Sequence, residues 1–298
     1  MRLISVLVAR NLRVFWRDRI NVLFSILGPL ILLFLSVAFF RNQTADRIKE
    51  ALPGADSAAA FAVTDSWIIA SVVVFATFTT GAGMLSAFVE DRASGRFSDY
   101  LVSPVRRGQL TVGYLISVLA FSFAVSAAIM AAGQGWAWAM DRPHMSLEQA
   151  GEALGMIALA STAFAAFNTL CVTFIKSIGG FNGYTLVLGV GVGFLAYCYV
   201  SPALLSESLR NVFGVLPFAQ AGAVVRAPMV AGSVDRLLDS APAGVGGPEA
   251  HAEVLETLAV DLTVNGSVLS TGFIVAMLAA IAVLLTALGA ANMRRVIH

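Results

Sequence analysis

The sequence predicts an all-α polytopic membrane protein with six transmembrane helices, and three observations carry that expectation. Hydrophobic residues make up 58% of the chain while only 12% are charged, about half the charged share of an ordinary soluble domain. The apolar residues are gathered into runs free of Asp, Glu, Lys and Arg that reach roughly 20 residues, the length a helix needs to cross the hydrocarbon core. Six such runs occur along the chain. Together these features exclude a soluble globular fold.

In chain order, residues 1–19 form an amphipathic leader. On a helical wheel Arg2, Arg10, Arg13 and Arg17 share one narrow sector, and Leu3, Leu7, Val8, Leu12, Phe15 and Trp16 fill the rest, the pattern of a helix lying at a bilayer surface. Its arginines read either as anchors to anionic lipid or as a platform for a cytoplasmic partner. The spans follow at 20–40, 67–89, 110–140, 153–175, 179–200 and 268–291. Gly28-Pro29 is expected to bend the first, because Pro removes one ladder hydrogen bond. Ser36-Val37-Ala38 resembles a signal-peptide cleavage site, but the apolar run continues through Phe40, too long for a signal core. Residues 202–230 hold two apolar pieces too short to span, interrupted by Glu207, Pro217 and Arg226, and read as a re-entrant or interfacial hairpin. Residues 232–266 read as an external loop containing an amphipathic helix from Glu249 to Leu262.

Charge orients the bundle. With the amino terminus inside, cations outnumber anions in the leader, the 90–109 loop, Lys176 and the Arg294-Arg295 tail, and anions outnumber cations elsewhere. That is the positive-inside bias, and it places both termini in the cytoplasm. The formal net charge of +1 supplies no field for nucleic acid.

With these boundaries no charged side chain falls inside a span. A carrier driven by an ion gradient needs an ionisable group at depth, so a secondary transporter is disfavoured. The neutral groups Thr77, Thr80 and Asn168, with Gly189 and Gly193, are candidates for a substrate pathway or for helix packing; small residues spaced by four let backbones approach. Gly179 with Gly183 has the same spacing. Cys171 and Cys198 lie in apolar runs near opposite membrane faces, which excludes a disulfide between them and offers no metal-ligand spacing. No hydrolase or zinc-protease motif is present, and without GxxxxGK the chain cannot cradle ATP itself. No cofactor or metal is expected in this chain.

The information is concentrated in 90–107, EDRASGRFSDYLVSPVRR. The second span ends at Glu90, Asp91 and Arg92; Gly95 permits a turn; Phe97, Tyr100 and Leu101 recur at i, i+3 and i+4 to make one apolar face; Ser103-Pro104 ends the helix. Such a knob either fits a groove on another protein or lies flat on lipid. This segment resembles the cytoplasmic loop of type-2 ABC exporter permeases, with Glu90, Arg92, Gly95, Leu101, Ser103 and Pro104 at matching positions. The resemblance extends over the basic leader, the six spans and the proline-broken hairpin at Leu216-Pro217. The 232–266 stretch departs from it, being longer and more acidic than a minimal loop.

The resemblance implies the permease half of a two-component exporter in a bacterial plasma membrane, a setting that the excess of Arg over Lys and the abundant Ala also favour. Two permease chains pair as a homodimer, and each docks its loop on a separate ATP-binding cassette subunit, which holds the ATP and Mg²⁺. Phe97, Tyr100 and Leu101 would make the docking contact, with Glu90, Asp91 and Arg92 as a charged hinge. Glu90 and Arg92 could instead form a local salt bridge. An uncharged lumen suits an amphipathic small molecule, a lipid or a lipid-linked glycan. A membrane scaffold or sensor that recruits a signalling protein is the alternative.

Overall fold

A computed structural model describes residues 2–96, 107–242 and 245–296. The helices are α1 (Arg2–Arg17), α2 (Arg19–Leu35), α3 (Arg41–Ala51), α4 (Ser57–Met84), α5 (Ser86–Ala93) and α6 (Arg107–Ala139). They continue as α7 (Leu147–Phe174), α8 (Ile178–Leu195), α9 (Glu207–Val215), α10 (Pro217–Ser240), α11 (Pro248–Thr257) and α12 (Thr271–Val296). Among the described residues, six helices are long and apolar enough to cross a membrane. The strand content described is one small antiparallel hairpin, Thr263–Val264 with Ser267–Val268, so the core is helical throughout.

Local chemistry explains where the helices begin. Orphan backbone N–H groups at a helix start need acceptors, and Asp18, Asp56 and Ser177 supply them for α2, α4 and α8. Ser146 and Gln149 form a reciprocal capping box on α7, the arrangement that satisfies two donors at once.

Three boundaries differ from expectation by about ten residues. Helix α4 starts at Ser57 rather than 67, because Asp56 caps it there and Ala58 through Ala62 continue the helix. The first span does not stop at Phe40: a π-turn over Ser36–Phe40 carries it into α3. Helix α10 runs on to Ser240, so the first part of the expected 232–266 loop is helical. Within that loop, α11 buries Val254, with Leu258 and Leu262 buried just beyond it.

Helix α4 is the axis of the bundle. Most of its side chains are buried, and α10 lies antiparallel along it. Phe218 meets Phe78, Arg226 meets Ser71, Ser233 meets Ser66 and Ser240 meets Asp56, in reverse chain order. Helices α9 and α10 form an 85° elbow at Leu216-Pro217, where Pro suits the first turn of α10. At the heart of the bundle Phe218 also packs on Phe164 and Phe167 at ring separations of 5.9 and 5.3 Å.

A second apolar cluster, Leu7, Phe15, Phe88, Tyr114, Phe121 and Met293 among its members, brings α1, α5, α6 and the end of α12 together. Both chain ends therefore lie at one end of the bundle, called here the α1 end. Leu7, Asn11 and Phe15 make the buried face of α1, which settles on α6 so closely that a Cβ on Gly113 would stand 3.0 Å from Leu7 Cβ.

Against the expectation of spans without charged side chains, three charged residues are buried among those described: Asp91, at the end of α5, Asp65 and Arg226. Asp65 sits within α4 and is buried, neutralised by Arg41 and Arg142. Arg226 is wholly buried. It donates from Nε to Ser71 Oγ at 3.3 Å and from Nη2 to the Ala196 carbonyl and Cys198 Sγ, while Nη1 has no partner among the described residues. Burying a cation is expensive. Here part of the cost is offset because Ala196 caps the carboxyl end of α8, where the helix dipole favours positive charge.

Candidate functional site

The 90–107 segment is tied to the bundle through its first residues. Successive side chains on a helix point about 100° apart, so Glu90, Asp91 and Arg92 face three neighbours. Asp91 turns toward α1 and α6. Arg10 grips it bidentately, Nη1 to Oδ2 at 2.6 Å and Nη2 to Oδ1 at 3.0 Å, and Tyr114 donates to Oδ2 at 2.5 Å. Arg96 adds a bond to Oδ1 at 3.2 Å. The Asp91 side chain is 1% exposed, and a carboxylate so enclosed is tolerated only with this many donors.

Arg92 faces α7. Its Nη1 donates to the carbonyls of Thr173 and Ile175 at 2.9 and 2.7 Å, satisfying acceptors left open at that helix end. Asn292 of α12 donates to Thr173 Oγ1 at 2.6 Å, so α12 joins at the same spot. Arg92 is thus spent on α7 rather than on a local bridge to Glu90. Glu90 faces a recess of about 180 Å³ shared with Asp18, Asn21, Ser86, Phe181 and Asn182. Gly95 has φ +74°, a conformation that glycine adopts without strain, and the chain turns there. Phe97, Tyr100, Leu101, Ser103 and Pro104 lie outside the described residues.

The residues singled out along the spans separate into two groups. Thr77 donates to the Val73 carbonyl and shares a 2.8 Å bond with Ser126; Thr80 donates to the Ala76 carbonyl. Asn168 donates to the Phe78 carbonyl and accepts from Tyr184 at 2.5 Å. All three are buried; Thr77 joins α4 to α6 and Asn168 joins α7 to α4 and α8, whereas Thr80 bonds within α4. Gly193 admits the Tyr199 ring, which would lie 1.9 Å from a Cβ there. Gly189, by contrast, lines a recess of about 580 Å³ between α2, α4 and α8, with Asn21, Phe75, Thr79, Thr185 and Tyr199 on its walls. Thr79, beside Thr80, is the threonine of α4 on its wall, its hydroxyl bonded to the Phe75 carbonyl.

Sequence reasoning missed Arg10, Arg96 and Tyr114 as partners of Asp91. Arg10 belonged to the arginine sector of the leader, read as a lipid anchor or a partner platform, and Tyr114 is one aromatic residue in a long apolar run. Only their meeting at Asp91 distinguishes them. Among the described residues no group of three or more His, Cys, Asp and Glu side chains is placed to hold a metal ion.

The helical bundle, with a leader clamped to the exit of its second span, agrees with the comparison by sequence. The family model described as ABC-2 type transporter matches residues 2–230. This chain belongs to the ABC-2 type transporter family. It is the transmembrane permease component of an ABC transporter and a multi-pass membrane protein. The match takes in α1, the base of the 90–107 segment, the elbow at Pro217 and the buried Arg226. A comparison with curated proteins finds no match.

Proposed function

We propose that the chain is the permease half of an ATP-driven exporter of the bacterial plasma membrane, with the α1 end in the cytoplasm. The observation that carries this reading is the clamp at Asp91 and Arg92. Through it the exit of α4 and α5 is bonded to α1, α6, α7 and, at Thr173, α12. A push on the segment beyond Gly95 is therefore delivered to several spanning helices at once instead of being absorbed by a slack loop. In this reading Phe97, Tyr100 and Leu101 dock on a separate ATP-binding cassette subunit, which binds ATP and Mg²⁺ and hydrolyses the nucleotide.

Two permeases and two ATP-binding subunits make the complex, and the second permease packs against the open side of α8. There Gly179 and Gly183 have no neighbour among the described residues within 4 Å of a Cβ position, and Leu186, Val187 and Val190 are exposed. The recess between α2, α4 and α8 lies beside that face, with aromatic, aliphatic and neutral hydroxyl walls suited to an amphipathic small molecule, lipid or lipid-linked glycan.

The test is co-expression with the ATP-binding protein encoded nearby. Expected are a stable complex with ATPase activity and substrate efflux from cells, both lost when Phe97→Ala and Tyr100→Ala are combined, with association weakened at least about tenfold. A purified complex that neither hydrolyses ATP nor moves substrate would favour the scaffold alternative. Transport by the lone chain in nucleotide-free vesicles would overturn both readings.

A further inference from the structure

A second cleft, at the end of the bundle opposite α1, takes no part in the transport reading. It lies between α2, α4 and α6 and has a volume of about 510 Å³. Leu30, Leu33 and Val37 form one wall, Ile68 and Val72 the floor, and Trp136 the far rim. Asp65 is the charged residue on its lining. Where α6 crosses α4 the floor is closed, because a Cβ on Gly133 would stand 2.5 Å from Ile69 Cγ2.

The mouth of this cleft is positively charged. Arg41 donates to Asp65 from Nε and Nη2 at 2.6 and 2.9 Å, and Arg142 donates to the same carboxylate from Nη1. Two guanidiniums share one carboxylate, leaving one positive charge in excess. Arg41 Nη1 and Arg142 Nη2 take no part in that pairing, and the two side chains are 26% and 34% exposed. Both cations are also held by rings, Arg41 over Phe61 at 4.6 Å and Arg142 over Trp136 at 5.0 Å. Trp is enriched at the depth of lipid headgroups, and Trp136 on the rim of the cleft fits that level.

We propose that this cleft binds one anionic phospholipid, with an acyl chain along Leu30, Leu33 and Val37 and the phosphate between Arg41 and Arg142. An apolar slot ending at a net positive charge matches a molecule that is apolar along its length and anionic at one end. The planar fork of each guanidinium fits phosphate oxygens. A soluble anion would leave the slot unused, and a zwitterionic lipid would gain less from the excess charge. A bound phosphate would tie the start of α3 to the turn after α6 across α4. The proposal holds whether or not the chain exports anything.

Native mass spectrometry of the full chain in detergent tests it, comparing phosphatidylglycerol, phosphatidylcholine with the same acyl chains, and glycerol phosphate. One phosphatidylglycerol should be retained with about tenfold preference over phosphatidylcholine, and millimolar glycerol phosphate should not displace it. Arg41→Gln with Arg142→Gln should abolish the preference. Because that pair strips Asp65 of its counter-ions, Leu30→Trp provides an independent variant, filling the slot from its exposed side and lowering retention at least about tenfold. Equal retention of the two phospholipids, unchanged retention by a monodisperse Leu30→Trp protein, or displacement by glycerol phosphate would each overturn the proposal.

Discussion

The continuous stretch of α4 and α5 carries a buried aspartate near each end, and the two are used in opposite ways. At the α1 end Asp91 is closed in by Arg10, Arg96 and Tyr114, and its neighbour Arg92 is fastened to the end of α7. At the other end Asp65 also holds two arginines, but these stand at the mouth of an apolar cleft and keep donors outside the pairing. Both arrangements obey the rule that a buried carboxylate must be neutralised and hydrogen-bonded. They differ in what surrounds the cations. Asp91 is a weld among helices at the base of a loop; Asp65 holds its arginines at the mouth of an apolar cleft.

That contrast can be broken experimentally, most severely at Asp91. Replacing it by Ala leaves Arg10 without its carboxylate among buried neighbours and should cost about 3 kcal/mol or more, read as a lowered thermal midpoint in detergent. If the variant melts like the parent, the weld is not structural. Next in size is Arg92→Gln. Two carbonyls at the end of α7 lose a charged donor, a loss of about 2 kcal/mol, and amide exchange near Thr173 should accelerate while the middle of α7 stays protected. The smallest effect is expected at the opposite end. Arg41→Gln leaves Arg142 on Asp65, so the buried carboxylate keeps a counter-ion and the cost should be about 1 kcal/mol. A loss as large as that at Asp91 would erase the distinction between the two ends.

Much of the fold was legible in the sequence because its signals are local. The length of an uncharged apolar run reports a spanning helix without reference to any other part of the chain. The base of the 90–107 segment was legible too, since Gly95 and the charged triplet interrupt such a run. The partners of Asp91 were not. Arg10 lies 81 residues away from it and Tyr114 lies 23 away, and on its own helix each looks like an ordinary surface cation or a membrane aromatic. The early start of α4 escaped for a related reason: Asp65 breaks the uncharged run in sequence but is neutralised in space.

The sequence by itself determined that this chain lives in a membrane, roughly where it crosses and which loop interrupts the pattern, since hydrophobic length and local charge are properties of contiguous residues. Tertiary structure alone decided which charges are paired, that Arg226 could be buried on the end of α8, and that Thr79 rather than Thr77 or Thr80 reaches the recess. Those outcomes depend on which helix faces meet. A polar side chain inside a bundle takes its role from the donor or acceptor opposite it, and that partner is supplied by a distant part of the chain.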